Sequence, residues 1–258
     1  RTDRHPPRCR PRDRLQEGVA LSRSTIPYLG RLDSFPPIET ARADMGGLLA
    51  VGADLSPARI LNAYRRGIFP WGTVERQPLW YSPDPRMVLF PEEFRLADSL
   101  RKTLRARRYQ VRFDNDFAAV ISACAAVPRR GQDGTWISPD MMDAYIRLHE
   151  LGWAHSVEVY AEGELTGGLY GLGIGRMFYG ESMFSRRSNA SKIAFAHLVH
   201  HLLADDFGMI DCQMRTEHLA SLGGREIPRG DFLGRLLQLI GPDRRRGRWT
   251  ADGLDVHW

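Results

Sequence analysis

Between residues 56 and 67 the pattern of polar and apolar positions writes a helix. Ile60, Leu61 and Tyr64 recur on one face, and mostly polar residues fill the other. Ser56 stands at the N-cap, Pro57 at the first helical position and Gly67 just past the end. Helical periodicity also predicts helices over 96–107, 116–126, 138–152 and 188–204. In the last, Phe195, Leu198, Val199, Leu202 and Leu203 form the apolar face, with His197, His200 and His201 opposite it, in solvent. Alternating or wholly apolar stretches predict strands over 109–113, 156–160, 165–170, 176–183 and 209–214, the second and third forming a hairpin. The run Gly171-Leu172-Gly173-Ile174-Gly175 lacks the GxGxxG spacing and reads as a turn or bulge. A final helix is expected over about 231–240, stopped by Gly241-Pro242. Helices mixed with strands indicate an α/β or α+β domain.

Composition refines this picture. The 258 residues suit one or two domains. Residues 1–20 are Arg/Pro-rich and nearly devoid of apolar side chains, so they read as a disordered extension, with order beginning near Leu21. The segment Tyr81-Ser82-Pro83-Asp84-Pro85 marks a boundary between a small first domain, 21–82, and a larger one, 83–242. A basic tail, 243–258, follows. The net charge of +5 resides in the ends: six Arg face two Asp in 1–14, and four Arg face two Asp in 244–258. The body carries −1, so the high pI does not argue for nucleic-acid binding. Cys9, Cys124 and Cys212 are too scattered for a disulfide framework or a CxxC zinc site. No apolar run is long enough for a membrane span and no signal peptide opens the chain, so a cytoplasmic protein with no membrane partner is expected.

Several polar residues stand where chemistry is possible. Asp211 and Gln213 alternate on one side of a predicted strand, roughly 7 Å apart. Ile210, Cys212 and Met214 then face the other side. A carboxylate beside an amide suits orienting an amine or stabilising developing charge, or else forms a half-exposed polar face. Glu181 lies among Phe178, Tyr179, Met183 and Phe184, where an acid needs a partner or a shifted pKa; a ligand ammonium and an internal Arg are both candidates. Ser185-Arg186-Arg187-Ser188 precedes a helix and offers either an anion site or a simple cap. The three histidines lack the HExxH pattern, so no metal site is expected. Arg101, Lys102, Arg105, Arg107 and Arg108 form either a solvated helix face or a phosphate-contacting one.

Across 46–229 the chain resembles the leucyl/phenylalanyl-tRNA–protein transferases. The resemblance is carried by Gly46-Gly47-Leu48-Leu49-Ala50, Gly67-Ile68-Phe69-Pro70-Trp71 and Trp80-Tyr81-Ser82-Pro83-Asp84-Pro85-Arg86. Gly134-Thr135-Trp136-Ile137, His149-Glu150-Leu151-Gly152, residues 180–186, Asn189-Ala190-Ser191-Lys192, 210–213 and His218-Leu219-Ala220-Ser221-Leu222-Gly223 continue it in order. It implies an α+β fold with a small N-terminal domain packed on a GNAT-like acyltransferase domain whose mixed β-sheet is flanked by helices. It implies transfer of Leu or Phe, less often Met, from aminoacyl-tRNA to the N-terminal Arg or Lys of an acceptor protein, marking that protein for degradation. An aminoacyl ester is already activated, so no ATP, metal or other cofactor is expected. A monomer is the expected state.

The resemblance also implies roles for residues. Tyr64, Trp71, Trp136, Leu169, Phe178 and Met183 are the expected aminoacyl pocket, with Glu181 its polar contact. Asp211 and Gln213 are the expected catalytic pair, relaying the proton of the attacking amine. Arg101, Lys102 and Arg105 are expected to meet the tRNA acceptor stem. Two other classes compete. A CoA-dependent N-acetyltransferase needs a glycine-containing pyrophosphate loop, and the corresponding stretch, Arg186-Arg187-Ser188-Asn189-Ala190-Ser191, has no glycine. A non-enzymatic RNA-binding module needs no acid in an aromatic pocket, and no RRM or KH signature is present.

Overall fold

The computed structural model describes residues 26–127, 136–241, 247–250 and 258. The expectations for 1–20, for order near Leu21, for Cys9, Gly134, Thr135 and Pro242, and for most of the basic tail lie outside the described residues.

The first unit is a four-stranded sheet and one helix. Its strands are β1 (Tyr28–Leu29), β2 (Leu48–Gly52), β3 (Phe69–Val74) and β4 (Gln77–Tyr81), in the order β1-β2-β4-β3. Helix α1 (Pro57–Arg65) stands between β2 and β3, and the Ser56 hydroxyl caps it by accepting from the Arg59 N–H. These strands escape a reading by periodicity because Pro70, Gly72 and Pro78, which usually break strands, fall inside them.

The second unit is a seven-stranded sheet, built from β5 (Arg86–Leu89), β6 (Gln110–Phe113), β7 (Ala154–Ala161), β8 (Glu164–Ile174), β9 (Met177–Ser185), β10 (Met209–Gln213) and β11 (Arg225–Ile227). Their order is β11-β5-β10-β9-β8-β7-β6. Only β9 and β10 pair in parallel, which makes the sheet mixed. Helix α2 (Asp98–Arg105) precedes β6, and α3 (Phe117–Ala126) and α4 (Pro139–Glu150) join β6 to β7. The parallel pair needs a crossover, supplied by α5 (Ala190–Ala204); α6 (Glu217–Ser221) and α7 (Arg229–Leu239) complete the chain. Asp116 and Ser138 cap α3 and α4 as their spacing predicts.

Each face of the large sheet is covered. On one side Tyr64, Trp80, Phe117, Tyr145, Tyr179 and Phe232 share a single apolar cluster, so the first unit packs on the second through a common core. On the other side Phe178, Leu169 and Ile210 pack against Phe195 and Leu198 of α5 and Leu100 and Leu104 of α2. The fold is thus α+β, a small N-terminal sheet on a catalytic-size domain with a mixed sheet.

The structure decides three readings. Of the two offered for the glycine run, the turn fails and the bulge has support: residues 171–174 continue β8, with a register shift at Tyr170/Gly171, and the reversal comes only at Gly175. Glycine is required because a Cβ at Gly171 would strike the Tyr179 carbonyl and the Phe178 ring. Helix α5 is buried on nearly all sides, as a crossover under a sheet and against α2 must be, whereas Leu203 is exposed. His201 is therefore buried, 4.4 Å from the Trp249 ring, and His197 and His200 lie against Trp258. Burial lowers the pKa of His197, and among the described residues no group of three or more potential ligands could hold a metal ion. Lastly, at 185–188 the capping alternative has support: Ser185 Oγ accepts the Ser191 N–H in the first turn of α5 at 3.3 Å, while the left-handed Asn189 that precedes the helix gives no side-chain cap. Arg187 pairs with Glu162, and Arg186 donates to the Leu165 carbonyl.

Gly171→Ala should therefore lower stability by roughly 1–3 kcal/mol, the range for overpacking. Gly234→Ala, with open space in the exposed face of α7, should raise it by about 0.5–1 kcal/mol. Urea unfolding of both variants checks this; equal effects would refute the packing role of Gly171.

Candidate active site

A cavity of about 560 Å³ opens where β3, β8, β9, α5 and the end of β10 converge. That size suits a small-molecule or aminoacyl group. Leu169 and Phe178 form part of its apolar wall from the large sheet, and Phe195 and Leu198 come from α5. Trp71 and Trp136 stand at it from β3 and from the segment before α4. Met183 and Glu181 reach it from β9, and Gln213 from the end of β10.

Glu181 is its chemical centre. The Tyr64 hydroxyl lies 2.6 Å from Glu181 Oε1, and the Tyr145 hydroxyl lies 2.9 Å from Oε2. The two hydroxyls are themselves 2.6 Å apart. Gln213 Nε2 approaches Oε1 at 3.4 Å. Helix α1 delivers Tyr64 and α4 delivers Tyr145, both wholly buried. The contacts between the two phenols and the carboxyl form a triangle of three short oxygen–oxygen approaches. Two phenolic protons fill only two sides of it; a protonated carboxyl supplies the third. Burial raises the Glu181 pKa to about 8, against the opposing effect of the two tyrosine bonds. Burial likewise pushes both phenols well above the usual tyrosine value, and the neighbouring Glu181 charge adds to it, so they remain donors. The result is a proton-holding site that can exchange its proton for a ligand ammonium.

Asp211 lies behind this centre. It does not border the cavity. Its carboxylate receives Arg86 Nε at 2.8 Å and Nη2 at 2.7 Å, and both side chains are fully buried. The expected alternation of Asp211 and Gln213 on one face fails. The register with β5 shifts between them, and Gln213 adopts a left-handed φ of 57°. Cys212 and Gln213 consequently both line the cavity, while Asp211 points to the opposite side of the sheet. Asp211 Oδ1 also accepts the Gln213 backbone N–H at 3.0 Å.

The structure thus brings Trp71, Trp136, Leu169, Phe178, Glu181, Met183 and Gln213 to one cavity, with Tyr64 one hydrogen bond away. Arg101, Lys102 and Arg105 are elsewhere, on α2, which packs on the α5 that walls the cavity. Arg101 meets Asp98, and Arg105 Nε donates to the Trp258 carbonyl. The reading of residues missed Tyr145, Arg86, Phe195 and His218. The apolar spacing of α4 marks Tyr145 as buried, but nothing in the sequence says that its hydroxyl meets an acid 36 positions on.

The Glu181 shift sets a pH dependence. An unfolded glutamate titrates near 4.5, the folded one at about 8. Between these values the folded protein holds a proton that the unfolded chain lacks, so stability falls as pH rises through this window. Glu181→Gln removes that loss. The variant should match wild type near pH 4 and exceed it increasingly up to about pH 8, by an amount on the order of a few kcal/mol. Urea midpoints at both pH values test it; parallel profiles would refute a shifted Glu181.

Comparison with known proteins places this chain in a family. The model described as "Leucyl/phenylalanyl-tRNA protein transferase" matches residues 88–237, and that of its N-terminal domain matches 53–84. A leucyl/phenylalanyl-tRNA–protein transferase of Dechloromonas aromatica is 70% identical over 230 residues, covering 89% of this chain and 98% of that protein. One from Aromatoleum aromaticum is 56% identical over 88% of this chain and 95% of its own. One from Nitrosospira multiformis is 56% identical over 90% and 99%. Matches at this identity over nearly whole lengths leave one conclusion: the chain belongs to the leucyl/phenylalanyl-tRNA–protein transferase family.

Proposed function

We propose that this cavity is where Leu or Phe, and less often Met, passes from aminoacyl-tRNA to the N-terminal Arg or Lys of an acceptor protein. The observation that carries the reading is one proton-holding carboxyl, Glu181, at the polar end of an otherwise apolar cavity. The family supports an aminoacyl-tRNA donor and a protein acceptor. The new N-terminal residue would then mark the acceptor for degradation.

The chemistry follows from the groups present. In the reaction an amine attacks the ester carbonyl, a C–N bond forms and the C–O bond to the ribose breaks. The amine loses a proton and the ribose oxygen gains one. The donor side chain fills the wall of Leu169, Phe178, Met183, Phe195, Leu198 and Ile210. Trp71 and Trp136 line the same cavity and complete the aminoacyl pocket. Glu181 and Gln213 meet the reacting amine, and Asp211 acts from behind Gln213. An α-amino group titrates near 7.7–8.0, so a carboxyl at about 8 exchanges its proton with such an amine almost without cost. No helix among the described residues is long and apolar enough to cross a membrane.

Two outcomes test the reading. An unbranched β-carbon fits beside the wall, whereas the β-methyl of Ile would overpack it at a cost of roughly 1–3 kcal/mol, or about 5- to 150-fold in rate. One tRNA body charged in turn with Leu, Phe, Ile or Val should transfer Leu and Phe faster than the β-branched Ile and Val; equal rates would refute the pocket. Replacing Arg101, Lys102 and Arg105 together with Ala should weaken aminoacyl-tRNA binding. The salt dependence should flatten by about 0.7–0.9 log units per lost phosphate contact, with little effect on an aminoacyl-adenosine donor. Equal damage to the small donor would show that α2 serves folding instead.

A further inference from the structure

Arg86 is a fully buried guanidinium that does not border the cavity. The Phe69 and Phe232 rings flank it, with centroids 4.6 and 4.7 Å away. Its Nε and Nη2 clasp Asp211, and Nη1 donates to the Gly67 carbonyl at 3.2 Å, beyond the end of α1. Every side of the group is therefore fixed, by β3, α7, β10 and the turn that follows Tyr64. Removing two charges from water costs several kcal/mol per ion, and an apolar pair of the same volume is often as stable. Stability alone does not explain the pair.

What the pair does is visible one residue further along. Asp211 Oδ1 takes the Gln213 N–H, and Gln213 sits at φ 57°, a conformation that non-glycine residues rarely adopt. That turn breaks the strand alternation and swings the Gln213 carboxamide into the cavity, toward Glu181. The turn is closed on one side by the Met214 N–H on the Cys212 carbonyl at 2.7 Å, and on the other by Asp211, whose carboxylate is the side-chain acceptor of the Gln213 N–H.

We propose that Arg86 is a positioning residue for the transfer reaction: by clasping Asp211 it holds the left-handed turn at Gln213 and aims that carboxamide at the reacting amine and carbonyl. This rests on the reading of the cavity as the transfer site. The effect belongs mainly to turnover, because Arg86 itself does not line the cavity and meets its lining at the Phe69 ring. A lysine keeps the charge but cannot clasp both carboxylate oxygens.

The experiment is a double-mutant cycle on the full chain. Arg86→Lys, Gln213→Ala and the double variant are compared with wild type for Leu transfer to an acceptor beginning with Arg, and for Leu-tRNA binding. Arg86→Lys should lower kcat on the order of 10- to 100-fold, as expected for a misplaced group, with donor binding changed less than about twofold. Gln213→Ala should lower kcat similarly, and the double variant no further, because both act through one side chain. Losses that multiply, or an Arg86→Lys enzyme of normal kcat, overturn the proposal. Should Arg86→Lys not fold, Arg86→Met combined with Asp211→Asn leaves no unpaired buried charge and should fold, with the same loss of kcat; full activity there also overturns it. A second readout is independent of turnover. The side-chain amide resonance of Gln213, assigned by its absence in Gln213→Ala, should shift in the folded Arg86 variants, and an unmoved resonance overturns the proposal. Wild-type protein without any transfer would instead refute the reading of the cavity, and the resonance would still decide whether Arg86 places Gln213.

Discussion

The buried pair of Arg86 and Asp211 is the constraint on which the site depends. Both side chains are closed to solvent, so neither charge is satisfied unless the other is in place. The guanidinium plane is held between Phe69 of the small sheet and Phe232 of the last helix, and its third contact is the carbonyl of Gly67. The two residues pair across the neighbouring strands β5 and β10, and the N-terminal unit and α7 close over the guanidinium through Phe69, Gly67 and Phe232. Gly67 itself is tightly enclosed, since a Cβ there would meet the Leu233 and Phe232 side chains.

The opposite face of the same strands carries the chemistry. Phe178 and Ile210 border the cavity, whereas Tyr179 and Asp211 point to the core shared with the small unit. Strand alternation alone would give that division. The site needs an exception to it, at Gln213, and the register shift with β5 provides one. Such bulges commonly re-aim a side chain at a functional site.

In the proposed transfer from an activated ester, Glu181 needs only a modest set of partners. Two phenols hold its carboxyl where burial favours the neutral form, and the count of protons among three oxygen contacts favours it too. The shift brings the acid close to the range of an α-amino group, so a proton passes between them with little driving force in either direction. The fold need supply only position and exclusion of water for the remaining work. It supplies both through rigid elements, because Tyr64, Tyr145 and Glu181 come from two helices and a central strand and not from loops.

Much of this was legible in the residues. Caps at Ser56, Asp116 and Ser138 announce their helices because a cap is a local hydrogen bond, satisfied within three residues of its own position. Of the pocket residues that the resemblance implied, Trp71, Trp136, Leu169, Phe178, Glu181 and Met183 line one cavity, whereas Tyr64 stands behind it, bonded to Glu181. Where the reading failed, the cause was non-local. Whether 171–174 turns or extends depends on the close approach of Tyr179 and Phe178, and whether α5 shows water one face or almost none depends on its place as a crossover packed against α2. The Arg86–Asp211 pair joins positions 125 apart, and the Tyr64–Glu181 contact positions 117 apart. Periodicity and capping, being local, were determined by the sequence itself. The aim of Gln213, the proton held at Glu181 and the partner of Asp211 were decided only by tertiary structure, because burial and pairing of charge arise only when distant segments exclude water together.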